Sequence, residues 1–304
     1  MTLTPRIALL LLVPPLLWAG NSVLGRALAP QVSPLTLNAM RWWGALLVLL
    51  PLGWGALSSA GRRAQVRRRW RPLALLGLLG VGSYNSLQYL ALQTSTPVNV
   101  TLIASSVPLW TLLLGRLFYD ERVRGMQALG AALSTAGVAV VLLRGDARTL
   151  ATLQLVPGDL WMLLAALAWS MYSWQLARPA PLLAGEQRPA WDWAEFLLVQ
   201  TLFGTLFASA ASAVELSLGG RLPSPSPMLA LAMLFLALGP SVAAYRAWGL
   251  GVAAVGPALA GFFGNLTPLF AALLSALLLG QPPQPYHGVA FALIVAGIAA
   301  SNRP

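Results

Sequence analysis

The sequence predicts an all-α membrane protein in which ten transmembrane helices form two inverted five-helix repeats around a central cavity. Three observations predict it. The 304 residues are 58% hydrophobic and only 9% charged, against about 25% charged in a soluble domain. Apolar stretches recur at roughly the 20-residue length that crosses a bilayer. Residues 97–143 return as 257–300, pairing Pro97 with Pro257, Ala104 with Gly264, Pro108 with Pro268, Glu121 with Gln281 and Gly137 with Gly297, each pair 160 positions apart. A gapless offset marks an internal duplication. Five spans per copy turn the second copy upside down in the membrane.

Span one covers 7–28. Met1–Arg6 is short and weakly charged, and no small-residue cleavage site follows, so this span is read as retained rather than as a removed signal. Span two is 35–52 and span three 72–92. Span four, 98–119, has Pro108 near its middle and ends in the charged turn Asp120–Arg124 before span five, 124–143. The polar linker Arg144–Val156 separates the first repeat, 7–143, from the second, 157–302. The second holds spans 157–177, 194–216, 227–248, 256–279 and 287–302. Spans five and ten carry small residues at every fourth position: Ala128, Ala132 and Ala136 against Gly288, Ala292 and Ala296. Such rows let backbones approach closely in lipid, so they are expected at a helix–helix contact.

Composition excludes several chemistries. With no cysteine there is no disulfide or thiolate chemistry, and with His287 as the one histidine no multi-histidine metal site, so no metal or cofactor is expected. The net charge is +11, carried by arginine without lysine. The arginines lie between apolar spans, which points to membrane orientation rather than to nucleic acid. If the spans alternate, Arg6, the cluster Arg62–Arg71, Arg116, Arg122, Arg124, Arg178, Arg188 and Arg303 share one side, which predicts both termini in the cytoplasm. Arg26 falls at the opposite end of span one, and Arg246 near the cytoplasmic end of span eight.

No aspartate or glutamate falls in the interior of a span, since Asp159, Glu195 and Glu215 stand at span ends and the other acids in loops, which argues against proton coupling through an acid at membrane depth. Pro108 and Pro268 interrupt spans four and nine at matched positions, beside Ser105 and Asn265, and free the carbonyls of Ala104 and Gly264. Paired interruptions point to a binding site between the repeats, or else to kinks that serve packing. LLWAGNSVLGRAL in span one aligns with LAWSMYSWQLARP in span six, setting Trp18 opposite Trp169 and Asn21 opposite Tyr172. Mid-span indoles need a partner for their N–H, unlike the interfacial belt assigned to Trp42, Trp43, Trp54, Trp70, Trp191 and Trp193. Tyr84 and Gln88 share one face of span three, near Asn85 and Tyr89, and turn inward, toward other helices or a ligand. Arg41, on one face with Asn38, either holds a carboxylate or phosphate or snorkels to the surface. The substrate-site candidates are therefore Trp18, Asn21, Asn38, Arg41, Tyr84, Gln88, Ser105, Trp169, Tyr172 and Asn265, with Pro108 and Pro268 as hinges.

The order of these motifs resembles the drug/metabolite transporter superfamily in its ten-helix EamA branch. The carrying residues are Trp18-Ala-Gly-Asn21, Ser33-Pro34 with Arg41, Tyr89-Leu-Ala-Leu92, Pro108, Asp120-Glu121-Arg122, Gly137, Asn265-Leu-Thr-Pro268 and Gly297. Gln281 departs from the pattern where the second repeat would carry an acid. The resemblance implies export of small metabolites by alternating access across a bacterial cytoplasmic membrane. Within the branch the chain looks most like the aromatic amino-acid exporters, so an amino-acid-like substrate and the lipid bilayer are the expected partners; oligomeric state stays open. Rival readings are an exporter of cationic drugs, one of sugar phosphates or nucleotide sugars, a membrane-embedded transferase, and a non-transporting scaffold. Cationic drugs favour a buried acid and phosphates favour several cavity cations. A transferase needs an acid, base or metal at its site.

Overall fold

The computed structural model describes residues 3–146, 148, 154–279 and 284–302. It is all-helical in its regular structure. Among the described residues, six helical runs are long and apolar enough to cross a membrane by length and composition alone. The remaining spans miss that criterion for local reasons: they are broken, shorter, or rich in tryptophan, tyrosine and serine.

The helices are α1 Pro5–Leu28, α2 Pro34–Gly53, the surface helix α3 Ala60–Arg68, α4 Trp70–Leu76, α5 Tyr84–Thr94, α6 Pro97–Ala104, α7 Val107–Phe118 and α8 Gly125–Leu142 in the first repeat. The second holds α9 Pro157–Ala177, α10 Trp193–Ser217, α11 Pro227–Leu236, α12 Ala244–Gly264, α13 Thr267–Leu279 and α14 Pro285–Ser301. Proline in the first turn opens α1, α2, α6, α9, α11 and α14, where its missing N–H has no helical partner to lose. Thr4, Thr96 and Ser226 cap α1, α6 and α11 through their hydroxyls.

Three irregularities recur at the 160-residue offset. A π-helical segment, Gly77–Ser83, joins α4 to α5, and another, Ala237–Ala243, joins α11 to α12. Span four breaks at Ser105–Ser106 between α6 and α7, and span nine breaks after Gly264 between α12 and α13. Ser95–Thr96 links spans three and four; Val255–Gly256 links eight and nine. Span eight thus runs on past 248 to a link made by Gly256, whose φ of 82° is the left-handed conformation that glycine adopts without strain. Arg246 consequently sits higher in the span than expected, its guanidinium 4.0 Å from the Trp193 ring centroid.

The repeats are inverted. Helices two of each copy, α2 and α10, run antiparallel: Thr36 meets Ser212 and Glu215, Trp43 donates to Ser209, and Gly53 abuts Ala194. Helices five of each copy, α8 and α14, do the same. A Cβ on Gly130 would lie 2.6 Å from the Gly297 carbonyl and one on Gly137 would lie 2.8 Å from the Ala290 carbonyl, a contact symmetric under exchange of the repeats. The small residues that meet here are Gly130, Ser134 and Gly137 against Ala290, Gly297 and Ser301. Ala128, Ala132, Ala136, Gly288, Ala292 and Ala296 are instead exposed on the lipid face. Alanine rows permit approach, but the glycines, lacking a Cβ, permit a closer one and win the interface. Trp42 also departs from expectation: it is fully buried with its ring edge on Tyr245, not in the interfacial belt.

Gly297→Val is expected to destabilise the protein by about 1–3 kcal/mol, because its added carbons meet backbone. Ala132→Val, on the lipid face, is expected to be neutral; thermal unfolding of the detergent-solubilised variants separates the two.

Candidate functional site

The first helix of each repeat packs on the third and fourth spans of the other: α1 on the Ala237–Ala243 segment, α12 and α13, and α9 on α5, α6 and α7. Two bundles result, with a cavity between them. Its free space open to water is about 130 Å³.

The bundle around α9 is pinned at both ends. Asp159, in the first turn of α9, is buried and accepts from Ser95 Oγ, Asn99 Nδ2 and the Val156 N–H. It thereby ties α9 to the link between spans three and four. At the other end Arg178 pairs with Glu121 and donates to the Tyr119 carbonyl, while Tyr119 stacks on Trp174 at 4.7 Å. Trp174 Nε1 donates to the Thr111 carbonyl at 2.8 Å. The expectation for Gln281, the counterpart of Glu121, lies outside the described residues, as does the side chain of Arg26.

Pro108 and Pro268 do not bend continuous helices. Each stands in the first turn of a new helix, α7 or α13, after a two-residue turn in which Ser105, Ser106 and Asn265 keep right-handed dihedrals. The break leaves backbone to be satisfied by side chains. Asn265 Nδ2 donates to the Ser105 carbonyl at 3.2 Å and to Ser134 Oγ at 2.9 Å. Thr267 Oγ1 donates to the Gly264 carbonyl. Pro108, without an N–H, offers nothing to the Ala104 carbonyl. Ala104, Ser105, Gly264, Asn265 and Pro268 all line the cavity.

The wall opposite this polar strip is aromatic. Trp169 lies at 5.2–5.5 Å from Trp18, Tyr84, Tyr172, Tyr245 and Trp248. Two of the indole and phenol protons of these mid-span aromatics go to the π-helical segments. Trp18 Nε1 donates to the Pro240 carbonyl at 3.3 Å, and Tyr245 OH donates to the Gly80 carbonyl. Gly80 and Pro240 are equivalent at the 160-residue offset. A π-helical turn leaves carbonyls off the i−4 ladder, and here cavity side chains claim them.

Of the sequence candidates, Trp18, Asn21, Tyr84, Gln88, Ser105, Trp169, Asn265 and Pro268 line the cavity. Asn38, Arg41, Tyr172 and Pro108 do not. Asn38 is fully buried and donates to Ser86 at 3.0 Å. Tyr172 donates to Gln200 at 3.1 Å behind Trp169. Arg41 neither reaches the cavity nor snorkels; it is 1% exposed and held by Ser241, Asn21 and Pro240. Sequence reasoning missed Ser22, Thr101, Tyr245 and Trp248 as lining residues. The duplication carried a signal for two of them, since Tyr245 and Trp248 stand 160 positions after Asn85 and Gln88.

Both repeats match the model of the EamA-like transporter family, over residues 5–143 and 156–303. The chain belongs to this family. It is a multi-pass membrane transporter rather than an enzyme. A transporter of Bacillus subtilis, YyaM, is 25% identical over 79% of this chain and 76% of its own length. The aromatic amino acid exporter YddG of Ancylobacter novellus is 26% identical over 94% and 93%. A solved crystal structure superposes with a TM-score of 0.76 at 24% identity, over 97% of this chain and 96% of that one, which shows the shared fold.

Asp159→Ala takes the acceptor from the Ser95 hydroxyl and the Val156 N–H and one of two acceptors from Asn99 Nδ2. It is expected to cost about 1–3 kcal/mol, read as a lowered unfolding temperature, with Asp159→Asn recovering part of the loss.

Proposed function

We propose that this transporter exports neutral amino acids, aromatic ones among them, across a bacterial cytoplasmic membrane, with both termini in the cytoplasm and without an evident coupling ion. The observation that carries this is the cavity lining: indole and phenol faces beside neutral amides, hydroxyls and freed carbonyls, with no charged side chain among the described residues that line it. Such a surface suits a zwitterion with an apolar side chain. A cationic drug would have no carboxylate to meet, and a phosphate no cation on the wall. The likeness to an aromatic amino acid exporter is in accord. Labelled phenylalanine or threonine should leave loaded proteoliposomes faster than it leaves empty vesicles; equal rates would sink the assignment. Trp169→Ala should depress that flux at least about tenfold at unchanged expression, the loss expected when a central aromatic contact is removed.

The asymmetry of paired contacts supports alternating access. On the side of the termini, Trp248 Nε1 donates to Ser173 Oγ at 3.2 Å, joining the two bundles. The equivalent pair on the opposite side is Gln88 and Ser22. Both line the cavity, and Ser22 is exposed. Rocking the bundles to open the terminal side would bring Gln88 onto Ser22. Because the chain has no cysteine, the double variant Ser22→Cys/Gln88→Cys tests this without background. Oxidation during turnover should arrest transport and reduction should restore it.

A further inference from the structure

Arg41 is a charged side chain near the middle of the protein with no charge opposite it. It is 1% exposed. Its Nε donates to Ser241 Oγ at 2.7 Å, Nη1 to Asn21 Oδ1 at 3.3 Å and Nη2 to the Pro240 carbonyl at 3.5 Å. All three acceptors are neutral, and no ion pair among the described residues involves it. A buried cation held only by neutral acceptors and by the Trp42 ring, 5.0 Å from its guanidinium, is costly. Ionisable groups inside membrane bundles that lack a protein counter-ion commonly serve a ligand.

The geometry points to the ligand's location. Asn21 lines the cavity and stands between it and Arg41. Because Arg41 can only donate, it fixes the Asn21 amide with Oδ1 turned back toward the guanidinium. The Asn21 Nδ2 donor is then the atom left for the cavity, and the guanidinium polarises it. Asn265 has the reverse bias: its Nδ2 serves Ser105 and Ser134, leaving Oδ1 as its free acceptor. The lining therefore offers one donor backed by a full positive charge, and acceptors at the span breaks.

We propose that Arg41 is the fixed counter-charge of the cargo, acting through Asn21 as a positioning residue, so that the cavity selects molecules bearing a carboxylate and rejects the corresponding amines. This rests on the amino-acid assignment above and names the group by which the cargo is recognised. The carboxylate accepts from Asn21 Nδ2, the ammonium of a zwitterion donates to Asn265 Oδ1 and the Ala104 carbonyl, and the apolar side chain meets the indoles.

The test is binding of three probes to the purified full chain, followed by tryptophan fluorescence: L-phenylalanine, 3-phenylpropionate and 2-phenylethylamine. The wild type is expected to bind the first two and to disfavour the amine by at least about tenfold. Arg41→Lys should keep that order. Arg41→Gln should collapse the ratio of phenylpropionate to phenylethylamine affinity toward unity. Should Arg41→Gln fold poorly, Asn21→Asp provides the second readout. It places an anion beside Arg41, so it should raise the unfolding temperature while abolishing the carboxylate preference. An unchanged probe ratio in Arg41→Gln or Asn21→Asp overturns the role of Arg41 and leaves the amino-acid assignment standing. Failure of the wild type to bind any probe overturns both.

Discussion

Every unusual feature of this protein descends from one constraint: a backbone carbonyl or N–H inside hydrocarbon must find a partner within the protein. An unbroken helix meets it automatically. This chain departs from unbroken helix at matched places in each repeat, at the π-helical segments and at the breaks of spans four and nine. Each departure exposes polar backbone that only another helix can satisfy. Trp18 answers Pro240, Tyr245 answers Gly80 and Asn265 answers Ser105. The helices that answer are those that enclose the cavity, so the irregular backbone and the site are one feature.

The same constraint explains the positions of the acids. Glu215 accepts from the Leu35 and Thr36 N–H groups at the start of α2, and Asp159 accepts from Val156 at the start of α9. Carboxylates near helix N-termini meet orphan donors and the positive end of the dipole. They hold the ends of the bundles together, and none stands among the described residues that line the cavity. Outside the spans, Arg69 bonds the Leu182, Gln187 and Gln65 carbonyls. Burial and the neighbouring Arg68 draw its pKa below the usual arginine value.

Two-fold exchange of the repeats relates the α8–α14 contact and the Gly80 and Pro240 acceptors, and its failures are informative. Trp248 with Ser173 is joined while Gln88 with Ser22 is not. The Arg178–Glu121 pair closes one end of the α9 bundle. A symmetric scaffold with asymmetric closures is in accord with the two interchangeable states proposed above.

The sequence alone determined the membrane class, the duplication and the inversion, because apolar length, a constant offset and an odd span count do not depend on packing. It also marked most of the aromatic and amide lining, because a polar or indole group at bilayer depth has few places to go. Tertiary structure decided the rest. The exposed alanine rows and the buried Gly130, Gly137 and Gly297 look alike as small-residue spacings, and only the approach of α8 to α14 tells them apart. Arg41 and Asn21 are 20 positions apart on different helices, so local periodicity could not reveal that one stands behind the other. Helix rotation about its own axis sets which residues face the cavity, and that angle is fixed by neighbours distant in the chain.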